Sequence, residues 1–213
     1  MKSKQLLNRS EFILSYLMTR NVITWEDFLD IRKRYSQRNK YLKFFELAPR
    51  SFGETWGQSH LMKMVPEFQK PTSQLDPLYK GEYDLWLEGI HVEVKASRVV
   101  KKESGGTLVQ KALKSGSIEK FDMNFQQLKP ECCDVFVWMA MWIDKIDYWV
   151  IPSDNVKHSP LFSNQHRGSQ TTALGEIVEG QIHINNDNYA SFEPYRVEVD
   201  DIRLKILEIG KRY

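Results

Sequence analysis

Cysteine is almost missing from this chain of 213 residues: there are two, Cys132 and Cys133, adjacent and set in an apolar stretch. That excludes a disulfide framework and fits a reducing, cytoplasmic setting. No Cys/His spacing suits a zinc site, and no glycine-rich loop of the phosphate-cradling kind is present. No apolar run approaches the roughly 18 residues a membrane span needs, and the opening MKSKQLLNRS lacks a signal-peptide core. Helicase and ATPase motifs are absent too. The expectation is a cytoplasmic protein with no membrane partner and no nucleotide-driven motor.

What is present is a soluble, globular composition, 41% hydrophobic and 27% charged, long enough for a real core. The net charge of +2 conceals a split. Residues 1–50 hold 11 Lys and Arg against 5 Asp and Glu, whereas the remainder holds 19 against 23. A basic N-terminal segment before a mildly acidic body suits an anion-binding appendage on a cation-binding core; a solvated helical face explains the same charges.

The most informative stretch is EYDLWLEGIHVEVKAS, Glu82 to Ser97. Two β-rich runs flank Glu88-Gly89, the pattern of a hairpin with a two-residue turn. Closing Leu87 on Ile90 sets Trp86 against His91, Leu85 against Val92 and Asp84 against Glu93. Side chains alternate along a strand, so Leu85, Leu87, Ile90, Val92, Val94 and Ala96 share an apolar face that should pack on a helix. The other face sets two carboxylates opposite each other, roughly 4.5–5.5 Å apart at Cβ, with Lys95 beside them. Such a pair is destabilising unless compensated, and a hard divalent cation compensates it. A surface hairpin with a solvated polar face is the plainer alternative.

Asp84 followed by Glu93-Val94-Lys95 on adjoining strands resembles the PD-(D/E)XK nuclease superfamily, to which many type II restriction endonucleases belong. Its signature is an acid, a variable gap, then acid-any-Lys; the leading Pro is Tyr83 here. The resemblance implies an α/β fold, a restriction-endonuclease-like mixed β-sheet flanked by helices, and covers about residues 50–151. It implies Mg2+ (Mn2+ possible) held by Asp84, Glu93 and the carbonyl of Val94, and Lys95 orienting the attacking water or stabilising charge at phosphorus. It implies cleavage of double-stranded DNA to a 3′-hydroxyl and a 5′-phosphate, and a homodimer where both strands are cut. Such relatives often carry an extra acid on the preceding helix, a role open to Glu54. Ser51-Phe-Gly-Glu54 also has the form of a capping box, which explains Glu54 without chemistry.

The rest of the chain is read around that hairpin. A largely buried helix is expected from Glu11 to Thr19, a second from Trp25 to Tyr35 capped by Thr24, and a third from Asn39 to Leu47. Together they form a basic helical subdomain over residues 1–48, either a DNA contact carrying Lys40 and Lys43 or a cap on the nuclease core of residues 49–213. The polar, Gly-rich segment after the hairpin carries Arg98, Lys101, Lys102, Lys111 and Lys114 and reads as a mobile phosphate grip. A helix is expected over 118–128, stopped by Pro130. A strand buried on both faces follows over 134–143, then another over 146–151. The irregular segment after Pro152 offers Gln165, His166, Arg167 and Gln170 to DNA, and a strand over 178–184 and a helix over 200–209 close the chain. The leading functional reading is a magnesium-dependent, site-specific endodeoxyribonuclease of the type II restriction class. The alternatives are a repair or nicking nuclease that needs a partner, and a non-catalytic DNA-binding protein on the same scaffold.

Overall fold

The computed structural model describes residues 9–164 and 178–211, which fall into two compact units divided between Lys40 and Tyr41. In the first unit, helix α1 (Arg9–Thr19) turns through Asn21 at φ 54° into α2 (Trp25–Arg38). Thr24 and Asp27 form a reciprocal capping box at the start of α2. Phe28 is buried, but Phe12, Ile13 and Tyr16 are exposed, so α1 is not the buried helix expected. Nor does a third helix join these two. Residues Leu42–Glu46 form a 3-10 turn of the second unit, where Phe45 packs among Phe52, Met141 and Ile143.

Two sheets with helical pieces packed around them make up the described residues of the second unit. The first sheet runs β1 (Leu85–Leu87), β2 (Ile90–Arg98), β5 (Val135–Met141), β6 (Ile146–Pro152) and β9 (Arg196–Val197) in spatial order. The β2–β5 pair is parallel and the others are antiparallel, so the sheet is mixed. The second sheet is antiparallel, in the order β3 (Val100–Lys101), β4 (Phe121–Leu128), β8 (Gly180–Asn185) and β7 (Ser163–Asn164).

Burial follows from side-chain alternation. On one face of the first sheet Leu85, Leu87, Val92, Val94, Val137 and Val150 pack against Leu61 of helix α3 (Gln58–Met64), Val65 just after it, and Ile202, Ile206 and Ile209 of α6 (Ile202–Gly210). On the opposite face Phe136, Trp138, Trp149 and Ile151 meet the second sheet through Phe121, Met123, Phe125, Ile182 and Ile184. Every residue of β5 is therefore buried, as its unbroken apolar run requires.

The helix expected over 118–128 is strand β4 instead. Phe121, Met123 and Phe125 alternate with Asp122, Asn124 and Gln126, and period two puts the apolar set on the core, with the Phe125 ring stacked on Trp138 at 4.4 Å. A bulge at Gln127, φ 54°, shifts the register and returns Leu128 to the interior. The β2-to-β5 crossover thus runs through the second sheet rather than through a helix. Downstream, the segment expected to be irregular after Pro152 begins with a short helix, α5 (Ser153–Lys157). Among the described residues no helix is long and apolar enough to cross a membrane.

Candidate active site

The hairpin turn has Glu88 at φ 51° and Gly89 at φ 91°, the geometry of a two-residue turn with both residues left-handed. It fixes the register as Leu85 against Val92, Trp86 against His91 and Leu87 against Ile90. Just outside β1 the ladder breaks: the Asp84 amide donates to the Val92 carbonyl at 3.1 Å, a bond one residue off the Leu85–Val92 register. The Asp84 carboxylate comes beside Glu93 all the same, within hydrogen-bond reach of it.

Three donors and acceptors lock the pair in place. Asp84 Oδ2 accepts from the Val94 amide at 2.9 Å, and Oδ1 accepts from Gln58 Nε2 at 2.5 Å. Lys95 Nζ lies 2.7 Å from Glu93 Oε1, and the two side chains are only 17% and 13% exposed. Burial pushes the Glu93 carboxyl up to about 7 against the pull of Lys95, and the neighbouring Asp84 carboxylate pushes it further in the same direction. A pocket that resists a second negative charge, yet offers two carboxylates side by side, fits a divalent cation by the chemistry of its donors. Among the described residues, no three His, Cys, Asp or Glu side chains converge on one point. The side chains available to an ion at this place are therefore Asp84 and Glu93, with main-chain oxygen such as that of Val94 to complete the set.

The pair sits on the floor of an open cleft of about 890 Å³. Strand β2 from Glu93 to Arg98 forms the floor, the helical segment from Pro49 to Gln58 one wall, and Asp122, Asn124, Gln126 and Gln127 of β4 the other. Glu93, Lys95 and Ala96 keep partial access to the cleft, whereas Val94, Ser97 and Arg98 are buried. Where the two sheets do meet, the Asn124 amide donates to Ser97 Oγ at 2.9 Å and ties β4 to β2 two residues beyond Lys95.

Glu54 lines this cleft but is exposed and paired with Arg50 at 2.8 Å. The capping box expected at Ser51 does not form. Phe52 already donates to the Ala48 carbonyl and Arg50 is helical, so Pro49 sits in a first turn, where its missing N–H costs nothing. From Ser51 to Gly57 the helix is a π-helix, a widened turn that recurs at functional sites. A Cβ at Gly57 would lie 3.1 Å from Met139 Cε, so glycine lets this helix approach the sheet closely. The side chain that reaches Asp84 is Gln58, four residues beyond Glu54, with Lys70 on its other end. Gln58 is not among the residues expected from the sequence, because the π-turn before it sets the direction of its side chain. His60, with Nε2 2.7 Å from the Tyr148 hydroxyl and its ring on Trp56, is a packing residue.

The expected phosphate contacts are scattered. Arg98 is the buried last residue of β2, not the start of a mobile loop: Nη2 donates to the Leu47 carbonyl at 2.6 Å and the guanidinium lies over Phe52. It alone of the five cations after the hairpin lines the cleft. Lys101 pairs with Glu119 at 2.8 Å, Lys102 and Lys111 are half-buried, and Lys114 is exposed. The segment that carries them is ordered by β3 and by a capping box at Thr107 on helix α4 (Leu108–Lys111). Lys40 is exposed in the first unit, and Lys43 in the second lies over the Phe44 ring. Gln165, His166, Arg167 and Gln170 lie outside the described residues.

No family model matches the sequence, and no curated protein matches it. Among solved structures, a bacterial homing endonuclease aligns over 78% of this chain and 97% of its own, at 14% identity and a TM-score of 0.37. Two structures of glutaryl-CoA dehydrogenase from Mycobacterium smegmatis, one in complex with FADH2, align over 55% of this chain and 30% and 31% of theirs. Their identities are 13% and 16%, with TM-scores of 0.21 and 0.20. At such scores none of these likenesses says what this chain does.

Proposed function

We propose that this chain is a magnesium-dependent endodeoxyribonuclease that hydrolyses double-stranded DNA at defined sites, in the manner of type II restriction endonucleases, with manganese as an alternative ion. One observation carries the reading: Asp84 and Glu93 lie side by side with Lys95 on the floor of an open cleft. A magnesium ion bound there would neutralise charge on the scissile phosphate and lower the pKa of water. The chain's own groups do the rest. Gln58 and the Val94 amide aim the Asp84 carboxylate, and Lys95 holds Glu93 and presents an ammonium to the charge that grows at phosphorus. Water attacks phosphorus, the bond to the 3′-oxygen breaks, and a proton passes to that oxygen, giving a 3′-hydroxyl and a 5′-phosphate. Cutting both strands calls for two such sites, hence a homodimer.

The test is to incubate the purified full chain with long natural duplex DNA and magnesium and to sequence the fragment ends. Discrete ends bearing 5′-phosphates are expected. Intact DNA under magnesium and under manganese overturns the reading; random ends would leave a nuclease without site specificity.

A further inference from the structure

The β4 wall of the cleft has an unusual chemical character for a surface of this chain. Asp122, Asn124, Gln126 and Gln127 line it, and His183 and Asn185 of β8 stand opposite Asn124 and Asp122. None of these six positions carries Lys, Arg or Glu; the one charge among them is Asp122, and Lys129, just past the strand, pairs with Glu179. A face kept wet for solubility carries Lys and Glu, and a grip on phosphates carries Lys and Arg. Amide and imidazole side chains on a regular strand are the set that reads base edges.

We infer that the outer face of the β4–β8 ribbon enters the major groove and reads base edges next to the cut; the inference rests on the nuclease reading above. Among the described residues β3 pairs only with Phe121 and Asp122 and β7 only with Gly180 and Gln181, so between them β4 and β8 stand as a two-stranded ribbon, which fits that groove. Alternate residues on a strand are about 6.8 Å apart, which matches two base-pair steps of about 3.4 Å. Gln126, exposed on that strand, offers a carboxamide that pairs two-pronged with adenine N6 and N7, whereas Asn124, with Oδ1 buried and Nδ2 bonded to Gln181, positions the strand. The groups are held in place. Asn124 Nδ2 donates to Gln181 Oε1 at 3.1 Å, and His183 Nδ1 lies 3.1 Å from Asp122 Oδ1. The bulge turns Gln127 as well as Gln126 toward the cleft, as bulges beside active sites do. The Asn124–Ser97 bond fixes the distance from this face to Lys95, so the bases read would lie at a set offset from the bond cut.

Cleavage of a pool of randomised duplexes by the full chain in magnesium, followed by sequencing of the ends, tests this. Wild type is expected to leave a motif around the cut. Gln126→Ala should lower discrimination at one motif position by about tenfold to a hundredfold. Gln126→Glu, which can only accept, should move that position toward cytosine, and His183→Ala should relax a different position. Melting temperatures matching wild type establish that each variant folds. A motif unchanged in all three variants overturns the inference, as does cleavage by wild type with no motif, which leaves the nuclease reading standing. A pool left uncut by wild type removes the nuclease reading and this inference together.

Discussion

Replacing Glu93 with Gln should make the metal-free protein more stable at pH 8 and leave it little changed at pH 5. The Glu93 carboxyl rises from 4.5 to about 7 on folding, chiefly through burial. Between those values the folded state holds a proton that the unfolded state has released, so stability falls as pH rises from 4.5 to about 7. The gap, at about 1.36 kcal/mol for each pH unit, amounts to about 3 kcal/mol above pH 7. Glutamine keeps the size and removes the charge, so that penalty vanishes; the gain will fall short of 3 kcal/mol because Lys95 loses its partner at 2.7 Å. Urea unfolding of both proteins in a chelator, from pH 5 to pH 8, reads the difference, and groups titrating elsewhere cancel between them. The two curves should diverge as pH rises. Parallel curves would refute the reasoning, because they would mean that Glu93 ionises freely in a site with nothing to gain from a cation.

Gln58→Leu removes a donor from Asp84 and should weaken magnesium or manganese affinity about tenfold to a hundredfold, as loss of an outer hydrogen bond to a ligand does. Calorimetric titration measures it, and an unchanged affinity would make Gln58 a bystander. Asp147→Ala concerns the fold: this buried carboxylate accepts from Trp142, Lys145, Tyr189 and Arg196, and removing it strands those donors. The expected loss is about 3–5 kcal/mol in denaturant unfolding, and a loss under 1 kcal/mol would contradict that assignment.

The bend at Asp84, outside the ladder, was not legible in the sequence. The hairpin register was, because Glu88-Gly89 specifies the turn and the turn sets Leu85 against Val92 and Trp86 against His91. The same holds for β5, whose apolar run admits only a strand covered on both sides. The expected helix over 118–128 is a strand because its apolar period is two. The alternation of Phe121, Met123 and Phe125 with polar neighbours was in plain view, but the bulge at Gln127 breaks its period near the end. The N-terminal boundary was drawn by charge, whereas contact assigns residues 41–48 to the second unit through Phe45. Gln58 and Arg98 could not be placed from sequence, since a π-turn sets the direction of one and burial against Phe52 sets the role of the other.

Asp84, Glu93 and Lys95 are proposed to form a cation-dependent site for cutting DNA. Its most direct test is a single-turnover cleavage assay on duplex DNA with wild type, Asp84→Ala and Lys95→Ala, each in magnesium and in chelator, with melting curves to establish folding. Wild type should cut in magnesium and not in chelator, and each variant should cut at least about a hundredfold more slowly. The double variant should be little worse than either alone, because the groups act as one unit. Wild-type cleavage that persists in chelator, or a folded Lys95→Ala that cuts at the wild-type rate, would contradict the account.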